Sequence, residues 1–241
     1  MHLPENILYE RLNKHSPDFQ SVVDYNNAAD KIVAFDLTEN NQDLKHIDVD
    51  NTDEFSSYIN HLLTQADAKF GFGGYNELRS FYSRSKLFDS NHNDSDEPRR
   101  LHLGIDIWGK PGSNVRAPLN GIVHSFAFNE DFGDYGATII LQHQLEDVTF
   151  FTLYGHLALK NLKNLTEGKI ITMGEQFAHF GEPKENGHWP PHLHFQVIND
   201  IGDYKGDYPG VCKYSERDVY LRNCPDADLI LQMHSKAFRY R

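Results

Sequence analysis

The sequence predicts a mainly β fold with minor α content, an antiparallel sheet or sandwich preceded by a mixed N-terminal extension. Three observations carry that expectation. From Leu101 to about Asp200 the chain breaks into short runs rich in β-branched and aromatic residues, with Gly and Pro between them. No helical period intervenes, which argues for antiparallel pairing rather than for βαβ units. Upstream of residue 90 the pattern is mixed, with one clear helical period and one short apolar run.

In chain order, MHLPENILYERLNKHSPDF is polar and broken at Pro4, with no basic stretch leading into an apolar one. It is not a standard export signal, so a cytoplasmic location is expected unless the N-terminus has been trimmed. The run IVAF reads as a strand, and the polar, acidic residues up to Asp50 read as a loop. Residues 51–66, NTDEFSSYINHLLTQA, read as a helix. Asn51 is its N-cap, with Glu54 three residues on as in a capping box. Phe55, Tyr58, Ile59, Leu62 and Leu63 recur on one face. SNHNDSDEPRR, 90–100, has the composition of an exposed loop. It divides the chain into a mixed α/β extension, 1–90, and a β-rich domain with a C-terminal extension, 91–241. Within the second part GIVHSFAF, ATIILQHQL, VTFFTLYGHL, EQFAHFGE and HLHFQVIN read as strands. Pro118 and Gly121 mark one turn, and Gly168, Gly174 and Gly181 mark others.

Composition narrows the function classes. Lys and Arg number 23 against 35 Asp and Glu in 241 residues, a formal net charge of −12. A chain this acidic, without a basic stripe, is a poor binder of nucleic acid or of an anionic membrane. No apolar run approaches the length that spans a bilayer. Cys212 and Cys224 fit either a disulfide or two isolated thiols, and their spacing is not that of a structural zinc site.

The 14 histidines carry the chemical signal. In PPHLHFQV, His192 and His194 alternate and so share one face of a strand, while Leu193, Phe195 and Val197 face a core. In HLGID, His102 and Asp106 are donors that suit zinc. On a straight strand they would lie about 13 Å apart, so the chain must bend between them, and Gly104 sits midway. In YGHL, His156 ends an apolar strand beside Gly155, where another group can approach the backbone closely. His2, His15, His46, His61, His92 and His234 read as surface residues. His124, His143 and His179 read as ordinary strand residues, and His188 adjoins Trp189 in a loop beside the HLH strand. Each motif alone is weak, but together they supply the parts of a hydrolytic metal site.

HLGIDIWG, LYGHL and PPHLHFQV, in that order and separation, resemble the M23 (lysostaphin/LytM-type) zinc metallopeptidases, and the flanking VRAPLNGIV and EGKIITMGEQFAHFG are similar to hairpins of that family. The resemblance spans residues 101–200. It implies an antiparallel LytM-type sheet with one zinc ion per chain in a groove. It further implies His102, Asp106 and His194 as zinc ligands, with His156 and His192 as catalytic histidines beside the metal-bound water. The substrate it implies is a short peptide containing glycine or D-amino acids, such as a peptidoglycan cross-link. The flanks FGGYNELRSFYSRSKLF and GVCKYSERDVYLRNCPD resemble a subgroup in which such a domain is joined to cytoplasmic enzymes. Asn76 and Arg79, polar residues in an otherwise aromatic stretch, are candidates to reach the site. Two alternatives stand beside the endopeptidase: a cytoplasmic hydrolase of small peptides or amides, and a non-catalytic LytM-like regulatory module. The sequence is silent on oligomeric state.

Overall fold

The computed structural model describes residues 7–89 and 97–237. Of the predicted 90–100 loop, residues 90–96 therefore lie outside the described residues, as do His2 and His92. Thirteen strands run in chain order, among the described residues, as β1 (Ile32–Ala34), β2 (Phe70–Gly73), β3 (Glu77–Leu78), β4 (Leu101–His102), β5 (Ile105–Trp108), β6 (Asn114–Arg116), β7 (Gly121–Asn129), β8 (Gly136–Leu145), β9 (Val148–Leu157), β10 (Ile170–Ile171), β11 (Gln176–His179), β12 (His192–Ile198) and β13 (Val211–Cys212). The α-helices are α1 (Ile7–His15), α2 (Thr52–Gln65), α3 (Arg217–Asn223), α4 (Asp228–Leu231) and α5 (Met233–Lys236).

Eight of the strands form one sheet in the order β1-β2-β5-β12-β9-β8-β7-β10. Every pairing in it is antiparallel except β1 with β2 at one edge. A two-stranded sheet, β11-β6, and a three-stranded one, β13-β4-β3, complete the β structure. The sheet is thus continuous from the N-terminal extension into the region of the motifs, because β2 pairs directly with β5.

Alternation on β12 works as expected. Leu193, Phe195 and Val197 join Ile105, Ile107, Ile139 and Phe150 in the main core. His192, His194 and Gln196 face the other way, and they too are buried, because further elements cover that face. α2 begins at Asn51, whose side chain accepts from the backbone N–H of Asp53 and Glu54. The capping box is not reciprocal, since the Glu54 carboxylate accepts from the N–H of Asp48 instead. Phe55, Ile59 and Leu63 bury the helix against Phe81, Trp108 and Trp189 in a second cluster.

α1 was not legible in the polar N-terminal sequence. Leu8 and Leu12, one turn apart, sink into the main core. Arg11, Lys14 and His15 pair with Glu146 or Asp147 at the β8–β9 turn. His15, expected on the surface, is therefore a partner in an ion-pair cluster. His46, His61 and His234 are exposed, as expected. His143 is buried between the Asn120 carbonyl and the Thr152 hydroxyl. Both cysteines are free and buried. Among the described residues, no helix is long and apolar enough to cross a membrane.

Candidate metal centre

The bend predicted in HLGID is present. His102 ends β4 in the three-stranded sheet, whereas Asp106 lies in β5 of the large sheet, and the chain turns between them at Leu103 and Gly104. Gly104 permits this for a reason the sequence did not show. A Cβ there would lie 2.6 Å from Cε1 and 2.7 Å from Nε2 of His194, so only glycine lets that ring seat. β12 lies between β5 and β9, with His194 in register with Asp106 on one side and Gly155 on the other. Three distant segments thus converge.

His102, Asp106 and His194 offer ligand atoms that all lie within 4.8 Å of one another, all buried. Asp106 Oδ1 is 3.3 Å from His102 Nε2 and 3.1 Å from His194 Nδ1. The two ring nitrogens are 2.9 Å apart. His192 Nε2 stands 3.8 Å from the same carboxylate oxygen, and its ring lies 4.2 Å from that of His156, centroid to centroid. All five residues singled out in the sequence are therefore in one buried cluster.

The ring protons decide what this cluster can do. His102 Nδ1 donates to the Gly74 carbonyl, His192 Nδ1 to the Pro190 carbonyl and His156 Nδ1 to the Asn186 carbonyl. His194 Nε2 donates to Gln196 Oε1, and that amide is oriented by its own donation to the Pro209 carbonyl and to Cys224 Sγ. A carbonyl oxygen only accepts, so each ring spends an N–H outside the centre and turns its other nitrogen inward. Lone pairs on His102 Nε2 and His194 Nδ1 then face each other and a carboxylate oxygen. That is the donor set of a borderline cation such as zinc, with the outer support that metal-bound histidines require.

Electrostatics agree. Burial, reinforced by the Arg79 charge, pushes His102 down to about 3. Burial pushes His192 down to about 4, and burial with the neighbouring His192 and His194 holds His156 well below the ordinary histidine range. Burial also works against ionisation of Asp106, but His102 and Arg79 outweigh it and hold the carboxyl well below the usual range. At neutral pH the permanent positive charge beside that carboxylate is Arg79, since His102 is then uncharged. Arg79 Nη1 lies 2.5 Å from Asp106 Oδ2, and Nε lies 2.6 Å from Glu77 Oε2.

Arg79 thus reaches the cluster and Asn76 does not. The Asn76 side chain accepts from Arg217 Nε instead. His156 has φ +62°, a left-handed backbone rare for a residue other than glycine and a mark of a constrained site. The Tyr135 ring fills the space beside Gly155, where a Cβ would lie 2.5 Å from it. A cavity of about 280 Å³ opens over His156, His192 and His194, with walls that include Tyr82, Trp108 and Tyr135. Trp108 stacks on His192 at 4.1 Å. His188 faces solvent and stacks on Phe132, so its neighbour Trp189, not His188, lines the cavity.

Residues 100–205 match the model of peptidase family M23. This segment belongs to that family. The M23 segment is less than half of the chain. Solved structures similar to the chain include a zinc-containing peptidase from Vibrio cholerae, at 25% identity over 45% of this chain and 32% of that one, TM-score 0.33. The catalytic domain of lysostaphin from Staphylococcus simulans is 18% identical over 68% of this chain and 96% of that one, TM-score 0.37. A complex of SpoIIIAH and SpoIIQ is 18% identical over 55% and 86%, TM-score 0.37. The chain spans only about a third of the length of the Vibrio cholerae peptidase it matches. No curated protein matches the chain significantly.

Gln196, Asn186 and Tyr135 were missed by sequence reasoning. Gln196 had a signal. It continues the alternation of His192 and His194 along one face of β12, and a polar residue there should have been read with them. Asn186 and Tyr135 act across the fold, and nothing local marks them.

Proposed function

We propose that the protein is a zinc-dependent endopeptidase acting on short peptides rich in glycine or D-amino acids, such as peptidoglycan cross-links. The observation that carries this reading is the hydrogen-bond arrangement of the rings. The outward bonds of His102 Nδ1 and His194 Nε2 turn His102 Nε2 and His194 Nδ1 toward Asp106 Oδ1, beside the rings of His156 and His192. His102, Asp106 and His194 would hold the metal, one ion per chain. Bound there, zinc supplies Lewis acidity for a substrate carbonyl and lowers the pKa of a water molecule.

The chain's own groups do the rest. His156 and His192 are uncharged at neutral pH, so each can accept a proton at Nε2 and return it to the departing amine. Their Nδ1–H bonds to backbone carbonyls keep the rings fixed while Nε2 changes state. The cavity over these rings, about 280 Å³ with Tyr82, Trp108 and Tyr135 among its walls, is where a peptide would lie.

The test is amine release from purified peptidoglycan and from oligoglycine, with a chelator-stripped sample as control. Zinc-dependent release is the expected outcome. His192→Ala should retain stoichiometric zinc and lose at least about 100-fold in turnover, the usual worth of a positioned acid–base group. Wild-type turnover in that variant would rule out the proton role. Zinc binding without hydrolysis of any peptide would favour a binding module.

A further inference from the structure

The M23 segment begins at residue 100, yet two of the closest contacts to its candidate ligands come from residues 74 and 79. The route of the chain explains this. β2 runs beside β5 with Gly73 in register with Asp106, and β3 runs beside β4 with Glu77 in register with His102. The turn between β2 and β3 therefore follows the bend between β4 and β5, one strand further out. It is pinned there by Asn76 N–H to the His102 carbonyl and Arg79 N–H to the Arg100 carbonyl, 3.0 and 2.9 Å.

We infer that this turn, GGYNELR, is the outer support of the metal centre, with Arg79 the positioning residue that fixes how Asp106 is presented to the cation. The inference rests on the metal reading above. Arg79 is buried, 1% exposed, and its guanidinium spans two carboxylates. Glu77 Oε2 holds Nε while Glu77 Oε1 accepts from the Leu37 N–H, so the arginine is itself anchored. Nη1 then takes Asp106 Oδ2, which leaves Oδ1 alone facing His102 and His194. The carboxylate is held to one inward oxygen, as the carbonyl of Gly74 and the amide of Gln196 hold the two rings. Gly74 is as constrained as the arginine. Its φ is +113°, and a Cβ would lie 2.1 Å from Arg79 Nη2 and 2.6 Å from His102 Nδ1.

The experiment compares wild type, Arg79→Gln and Arg79→Lys. Zinc dissociation constants come from chelator competition, and visible absorption of the cobalt(II)-loaded proteins reports coordination. Arg79→Gln should weaken zinc about 10- to 100-fold, as loss of an outer partner does, and should alter the cobalt spectrum. Arg79→Lys keeps the charge but cannot span Glu77 and Asp106 together, so its affinity should fall between the two. Wild-type affinity and spectrum in folded Arg79→Gln would overturn the inference. Should that variant fail to fold, the same result in Arg79→Lys would overturn it instead. A wild-type protein that binds neither metal would overturn the metal reading itself, and the inference with it.

Discussion

Gly104→Ala is a one-methyl perturbation whose consequence is worked from distances. The new Cβ would stand 2.6 and 2.7 Å from the His194 ring and 2.8 Å from the Phe195 carbonyl oxygen. Ordinary contact begins at 3.4 Å, so about 0.8 Å of movement is needed. β12 cannot supply it, being hydrogen-bonded to β5 on one side and β9 on the other. The ring must therefore turn away. That breaks its 2.9 Å bond to Gln196 and displaces Nδ1 from its place opposite His102. Metal–ligand distances tolerate only about 0.2 Å. The expected result is a zinc affinity weakened about 10- to 100-fold, with an overpacking loss of about 1–3 kcal/mol. Chelator competition measures the first and thermal unfolding of the metal-free protein the second. A folded Gly104→Ala protein with wild-type zinc affinity would refute the claim that this glycine exists to seat His194.

Three more outcomes are expected. Gln196→Leu removes the acceptor for His194 Nε2 and should weaken zinc about tenfold or more while the fold persists, measurable by the same competition. Zinc at 100 times its dissociation constant should stabilise the protein by about 2.7 kcal/mol, a rise in Tm of roughly 5–10 °C by scanning calorimetry; His102→Ala should abolish the rise. Acid should loosen α1 before the sheet. Glu146 is held down to about 2 by Lys14 and His15, so its contribution is complete above its ordinary value of 4.5 and is lost as pH falls towards 2. Hydrogen exchange at Leu8 and Leu12 should accelerate across that window, and unchanged exchange would exclude the Glu146 anchor.

Much of the fold was legible because strand signals are local. The runs from Gly121 to Leu157 and from His192 to Ile198 alternate or carry β-branched residues, and they emerge as β7, β8, β9 and β12. Motif order singled out the five residues that share the buried cluster, and the bend at Gly104 was expected from the reach of two candidate ligands to one ion. What stayed hidden is long-range. α1 is held by two leucines and by partners more than 130 residues away, so its own sequence looks like a polar tail. Asn76 and Arg79 were equal candidates, and only the register of β3 against β4 separates them. EQFAHFGE yields a strand of only four residues, because its end bends to pair Phe180 with Leu157.

The pairing of β2 with β5 also bears on portability. Cut out at its sequence limits, the M23 stretch would present β5 as a raw sheet edge, its backbone donors and acceptors open to any passing strand. The border of sequence similarity and the border of a viable fragment are then different places on this chain. Anyone grafting the M23 stretch onto another scaffold would have to carry β1 and β2 along, or design a substitute for the edge they seal.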